Sequence, residues 1–393
     1  MAFFVGSGGN SVTVGIDNSM CRPGSTISGN TYVNIVTPTN FSGVYLKVKG
    51  QENVYWVEHQ TRTRTVYRDG KSHSETYTVD IPHVGKRRIF KTEYMILQGG
   101  QMLQGQYTVP FSFMIPSGIP GSFELSGVDY TCSVRYAVKA KVVIPGMLKS
   151  NLKHEAPLTV IQPPPAFSTN ISASATANVI IWCCFNRGQA QLGFHTDKDA
   201  FFTGEQVLVT ASADNRSKSE LKRLTIKLRR SLTITAGDGR SFHIEQTVSE
   251  RLYPGLKPFT SVEQLAMQLD IPANAPQMCF GSTIQCLYSV RLAGKVSFGR
   301  DATCTVPAFI YIPFREIAQL VQLAPTWQPV VLQQVAMVMT SPVLVPPPMT
   351  LAMYPEAETM YATAPPMPES PVNQAPAEFM SSEGPPVLVT GTM

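Results

Sequence analysis

Ile181-Trp182-Cys183-Cys184-Phe185-Asn186-Arg187-Gly188, then Phe201-Phe202-Thr203-Gly204-Glu205, then Leu221-Lys222-Arg223-Leu224-Thr225-Ile226-Lys227-Leu228 opens the second of two related units in a chain of 393 residues. Gly24-Ser25-Thr26-Ile27 answers Gly204-Glu205-Gln206-Val207 at an offset of 180. Ile115-Pro116, followed by Pro120, answers Ile271-Pro272, followed by Pro276, at an offset of 156. Ser133-Val134-Arg135 and Ala137 match Ser289-Val290-Arg291 and Ala293 at that same offset. The first unit therefore carries 24 more residues between its blocks, the difference between 180 and 156. Self-similarity at a fixed offset marks duplicated structural units.

Around this repeat the pattern is that of strands. Thr31–Val36, Val44–Lys49, Tyr107–Ile115 and Val134–Val142 alternate apolar with polar side chains and are rich in β-branched and aromatic residues. In the second unit Leu224, Ile226 and Leu228 share one face, and Thr225, Lys227 and Arg229 the other. Short strands bounded by Gly, Pro and Asn predict an all-β chain of two tandem immunoglobulin-like antiparallel β-sandwiches. The expected boundaries are 10–162 for the first sandwich, 163–175 for a proline-containing connector and 176–315 for the second. Phe314–Leu323 is the best short helix candidate. Residues 325–393 hold 14 of the 31 prolines and no Lys or Arg, which predicts a disordered acidic tail.

Composition narrows the function. The segment through Arg315 holds all 32 basic residues and 21 acids, the 27 less the six beyond it, a net charge of +11 against −6 for the remainder. A basic body suits anionic partners. No apolar run reaches the roughly 18 residues of a membrane span, and the N-terminal stretch lacks a basic leader, so the cytosol is expected. Seven irregularly spaced cysteines predict reduced thiols and no metal site, with S-acylation of Cys183-Cys184 as the sharper alternative. Six scattered histidines offer no nucleophile–base spacing, and no phosphate-binding glycine loop follows a strand, so neither catalysis nor a cofactor is expected. The basic residues lack interleaved aromatics, which argues against nucleic acid.

Several motifs in order resemble one family over roughly residues 10–315. Gly105–Pro116, Pro120-Gly121-Ser122-Phe123 and Val134–Val138 are similar to the N-domain of the arrestin superfamily, in its arrestin-domain-containing or α-arrestin branch. Cys183-Cys184, Gly188, Phe202-Thr203-Gly204-Glu205 and Asn215-Arg216-Ser217 are similar to its C-domain. The resemblance implies a non-enzymatic cytosolic trafficking adaptor, peripheral at the plasma membrane or endosomes. It would bind cytosolic parts of receptors or transporters, promote endocytosis or endosomal sorting, and work with HECT-type ubiquitin ligases or sorting machinery. A retromer-like coat subunit and a scaffold masked by its own tail are the alternatives. The chain departs from the family in lacking Pro-Pro-x-Tyr: Pro365-Pro366-Met367-Pro368 and Pro385-Pro386-Val387-Leu388 put Pro and Leu in the Tyr slot. Its first strand, Ser11–Ile16, has no base of the kind phosphate-sensing arrestins use.

Candidate site residues follow. Arg62, Arg64, Arg68, Lys71, Lys86, Arg87 and Arg88 fall in and around the 24-residue excess and are the candidates for acidic cargo or a phosphoinositide surface. Pro365, Pro366, Pro368, Pro385 and Pro386 are the partner-motif candidates.

Overall fold

The computed structural model describes residues 2–3, 9–146, 150–164, 168–182, 185–297, 299–315, 321–322, 330–332 and 338–339. In the first sandwich β1 (Ser11–Ile16), β2 (Thr26–Ile35) and β5 (Gly105–Met114) form one sheet in the order β1-β2-β5. β3 (Thr39–Arg68), β4 (Lys71–Met102), β6 (Tyr130–Val143) and β7 (Leu152–Val160) form the other, in the order β4-β3-β6-β7. The second sandwich pairs β8 (Thr169–Ile181), β9 (Phe185–Lys198), β10 (Gln206–Ser217) and β13 (Thr260–Asp270) in the order β8-β9-β10-β13. Opposite lie β11 (Leu221–Thr235), β12 (Ser241–Leu256), β14 (Ile284–Val296) and β15 (Ala302–Tyr311) in the order β15-β14-β11-β12. All four expected strands of the first unit coincide with these elements, with Val36 and Ile115 each one residue past the observed end, and the chain is the all-β tandem that the repeat implies.

Equivalent hydrogen bonds confirm the duplication atom by atom. Gly24 N–H donates to Ile115 O at 3.1 Å and Ile115 N–H to Ser25 O at 2.9 Å; Gly204 N–H donates to Ile271 O at 3.1 Å and Ile271 N–H to Glu205 O at 2.9 Å. Both glycines sit at left-handed φ, 79° and 88°, which a side chain resists. The 156 offset does not extend through β6 and β14. Tyr136 Oη donates to Pro120 O at 2.6 Å and Tyr288 Oη to Pro276 O at 2.8 Å, so Tyr288 is the counterpart of Tyr136. Phe123 pairs with Val134 and Cys279 with Cys286, which gives the same displacement. The Ser-Val-Arg match is thus shifted by four residues, because the turn before β14 is shorter. An even shift keeps inward positions inward, which is why the pattern tolerates it.

The cores follow the expected alternation. Val33, Val44, Leu46, Ile96, Val109, Val138 and Val142 in the first sandwich, and Leu192, Val207, Leu224, Ile226, Leu228 and Leu292 in the second, are all fully buried. Each such side chain contributes about 1.5–3 kcal/mol by leaving water. Thr225 is buried as well, so the outward face of β11 is covered at that point.

Two expectations change. β8 begins at Thr169, inside the stretch 163–175 expected as connector. Its inward positions, Ile171, Ala173, Ala175 and Ala177, are mostly small, so the alternation is too faint to read as a strand. The helix expected over 314–323 lies largely outside the described residues; of its described positions, Phe314 and Arg315 are not helical and Val321–Gln322 pair in parallel with Ala2–Phe3. No helix among the described residues is long and apolar enough to cross a membrane.

Candidate interaction surfaces

The excess of the first unit is a two-stranded ribbon. β6 accompanies β3 only as far as the Trp56–Tyr130 pair, after which β3 and β4 continue alone to the Arg68–Lys71 pair. Twelve further residues on β3, Val57 to Arg68, carry the ribbon roughly 40 Å past the sheet. Asp69 and Gly70 close it with φ of 53° and 73°, the paired left-handed values of a two-residue Asp-Gly hairpin.

The basic candidates divide between its two ends. Arg62, Arg64, Arg68 and Lys71 lie on the ribbon, and Arg62 and Arg64 share a face with their cross-strand partners Tyr77 and Glu75. Arg64 is neutralised by Glu75 at 2.7 Å, and its guanidinium lies over the Tyr77 ring, 5.5 Å from the centroid. Across 57–82 the four bases meet four acids, Glu58, Asp69, Glu75 and Asp80, so the ribbon carries no net charge. Lys86, Arg87 and Arg88 lie at its root, opposite Asn53, Glu52 and Gln51, roughly 30 Å from Arg62 along the strand. The structure does not bring the two groups together. All three root residues are exposed, and none forms a salt bridge among the described residues.

Beside them a polar clasp joins the sandwiches. Glu52 is in phase with Leu46, Val48, Val54 and Trp56 and is only 2% exposed. Its Oε1 accepts from Ser282 N–H at 3.0 Å and Ser282 Oγ at 3.2 Å, and its Oε2 from Thr283 N–H at 2.7 Å and from Thr283 Oγ1. A buried carboxylate with four donors is satisfied without a cation. His83, also buried, has Nδ1 2.7 Å from Asp238 and Nε2 3.1 Å from Glu58, and stacks on Trp56 at 4.0 Å. Glu58 also accepts from Arg240 at 2.8 Å. Gln60 and then His83 hold the Glu58 carboxyl below its ordinary range; the Arg240 backbone N–H and then His83 do so for Asp238. Asp80 and Asp129, on either side of His59, raise that imidazole above its ordinary value. At another point of the same junction Gln277 Nε2 donates to Ser122 O at 2.7 Å and Val160 O at 3.2 Å. None of these joining residues was singled out from sequence, although an acid at an inward strand position was the available signal for Glu52.

The arrestin (or S-antigen) N-terminal domain family matches residues 11–164, and the arrestin (or S-antigen) C-terminal domain family matches residues 186–313. The chain belongs to the arrestin family, as an arrestin-domain-containing protein. It is 24% identical over 320 residues to "Arrestin domain-containing protein A" of Dictyostelium discoideum, covering 78% of this chain and 52% of that protein. It is 23% identical over 316 residues to "Arrestin domain-containing protein 17" of Caenorhabditis elegans, covering 76% of this chain and 68% of that one. The match therefore spans about half the length of the first relative.

Two short strands late in this arrestin-domain chain show how its sheet edges accept a segment. Val330–Val331 adds in parallel to β5 at Tyr107–Thr108, and Leu332 N–H donates to Thr108 O at 2.9 Å. Val338–Met339 adds antiparallel to β4 at Tyr94–Met95. The edge of β1 is held differently: Val14 N–H donates to His154 Nδ1 at 3.1 Å, and burial lowers the His154 pKa, favouring the neutral ring that can accept. The proline candidates Pro365, Pro366, Pro368, Pro385 and Pro386, and the Cys183-Cys184 pair, lie outside the described residues.

Proposed function

We propose that this arrestin-domain protein is a non-enzymatic trafficking adaptor that binds cytosolic segments of membrane cargo and directs them to endocytosis or endosomal sorting. The observation that carries the reading is strand addition by the chain's own residues 330–332 and 338–339 to two sheet edges of the first sandwich. An edge that accepts one extended segment offers the same unpaired backbone groups to another. Lys86, Arg87 and Arg88, exposed on the edge strand β4 itself, supply the positive charge that selects an acidic segment or an anionic membrane face. Contact with ubiquitin ligases in this reading is indirect, because neither proline run carries the Pro-Pro-x-Tyr spacing.

The test is a titration of the full chain with an acidic extended peptide and, separately, with vesicles containing phosphatidylserine. K86A/R87A/R88A should weaken the peptide by about tenfold, with an affinity that falls as salt rises. R62A/R68A, on the ribbon, should leave it unchanged. Equal peptide affinity in wild type and K86A/R87A/R88A would remove this surface from the account, and loss confined to vesicles would make it a lipid contact.

A further inference from the structure

β8 is the outer strand of its four-stranded sheet, bonded along its length to β9; apart from that pairing, among the described residues only Ile181, at its C-terminal end, forms a bridge, to Gly299. From Thr169 to Ile181 it contains no charged residue and no proline. The other long edges of the described structure are guarded; β7 bears Lys153, Glu155 and Pro157, and β15 bears Pro307. β1 has His154 on its backbone, and β5 and β4 carry the added strands. β12 bears Glu245, Glu250, Arg251 and Pro254; β13 bears Glu263 and is interrupted by a register shift with Gln264 at a φ of 54°. Charges, prolines and bulges are the devices that keep an edge from pairing, and the middle of β8 has none of them.

Its sequence is also nearly symmetric about Ser174. Outward from that residue the exposed positions read Ser172 and Thr176, then Asn170 and Asn178; the half-buried positions read Ala173 and Ala175, then Ile171 and Ala177. The irregularities obey the same symmetry. Asn170 is left-handed at a φ of 57°, and the register with β9 shifts between Asn178 and Ile180. They bracket one straight run, Ile171–Ala177.

We propose that β8 pairs antiparallel with β8 of a second copy of this chain, about a two-fold axis through Ser174, joining two four-stranded sheets into one of eight strands. An isologous contact requires a self-complementary patch, which this run provides. Ser174 faces Ser174, Ser172 faces Thr176, Ala173 faces Ala175 and Ile171 faces Ala177, with roughly six to eight new backbone hydrogen bonds. The small side chains let the sheets meet without a clash, and hydroxyl-bearing positions oppose one another across the axis. This register uses the whole straight run; displacing the axis shortens the ladder by driving Asn170 or the bulge into it. The pairing is independent of the adaptor reading.

Sedimentation velocity of the full chain tests it. Wild type should show a concentration-dependent dimer, and S174T should keep it. S174K and S174E each place like charges opposite one another on the axis and should sediment as monomers with unchanged thermal melts, since Ser174 is exposed in the single chain. Mixing S174K with S174E sets Lys against Glu and should restore the dimer. A wild type that stays monomeric across the concentration range overturns the proposal. So does an S174K protein that dimerises like wild type, or an equimolar mixture that stays monomeric.

Discussion

Glu52→Ala is the sharpest perturbation of the junction between the sandwiches. The carboxylate is 2% exposed and accepts from two backbone N–H groups and two hydroxyls of Ser282 and Thr283. A hydrogen bond to a charged acceptor contributes about 1.5–3 kcal/mol, and a buried donor left unpaired costs about 1–3 kcal/mol. Ser282 is exposed and can turn to water, so its two donors are cheaply resatisfied; Thr283 is half-buried and keeps most of the penalty. Removing the acid also relieves the cost of holding its charge out of water, which offsets part of the loss. The net is about 3 kcal/mol, or roughly a hundredfold shift in the local opening equilibrium. Two sandwiches need not unfold as one unit, so a global melt averages the effect away. Native-state hydrogen exchange at the Ser282 and Thr283 amides reads it directly. Glu52→Ala should exchange there about a hundredfold faster, Glu52→Gln by an intermediate factor, and amides in the middle of β14 should change far less. Protection at Thr283 within twofold of wild type in the alanine variant would refute the assignment of Glu52 as the acceptor that holds this loop.

Gly24→Ala and Gly204→Ala should each destabilise their own sandwich by about 1–2 kcal/mol, through the left-handed backbone alone. The nearest neighbours of an added Cβ are 3.7 and 3.8 Å away, so nothing clashes; unequal losses in a urea titration would contradict the equivalence of the two turns. Ile226→Ala, at a fully buried position of β11, should cost about 2–5 kcal/mol, and a change below 1 kcal/mol in the same titration would show that the site is not packed. The ribbon root should be pH-sensitive in two directions. Glu58 and Asp238, with lowered pKa values, stabilise it above the ordinary carboxylate range near about 4, a contribution lost as pH falls through their folded values. His59, with a raised value, stabilises it below about 6.5, a contribution lost as pH rises through its folded value. Amide protection at residues 57–60, corrected for intrinsic exchange, should therefore peak between these limits; protection that stays level as pH rises past the peak would remove the His59 part, and a flat profile would remove both.

The tandem was legible because its determinants are local. Gly24 and Gly204 are needed at left-handed turns, Ile115-Pro116 and Ile271-Pro272 close strands, and period-two alternation marks the inward faces of β2, β3, β5 and β6. The four-residue slip between β6 and β14 was hidden because an even displacement changes no side chain's face. The basic cluster was read as one surface since its members are close in sequence. A hairpin that runs out and back instead places Arg62 and Lys86 on opposite strands at different heights. The clasp was invisible for another reason: Glu52 meets Ser282 and Thr283 across 230 residues, and periodicity carries no information about which loop of the second sandwich covers an inward acid. The first half of β8, Thr169 to Ala175, was taken for connector because alanine and serine alternate almost without contrast, and that same plainness leaves its edge unguarded.

The adaptor reading is tested most directly by proximity labelling in living cells, comparing the full chain with one ending at Leu323, which lacks both added strands. The account predicts a varied set of integral membrane proteins labelled through their cytosolic segments. The truncated chain should label them more strongly, because its β4 and β5 edges are uncovered. A fixed set of soluble sorting subunits in constant ratio, the same for both chains, would contradict it and make the protein a stoichiometric coat component.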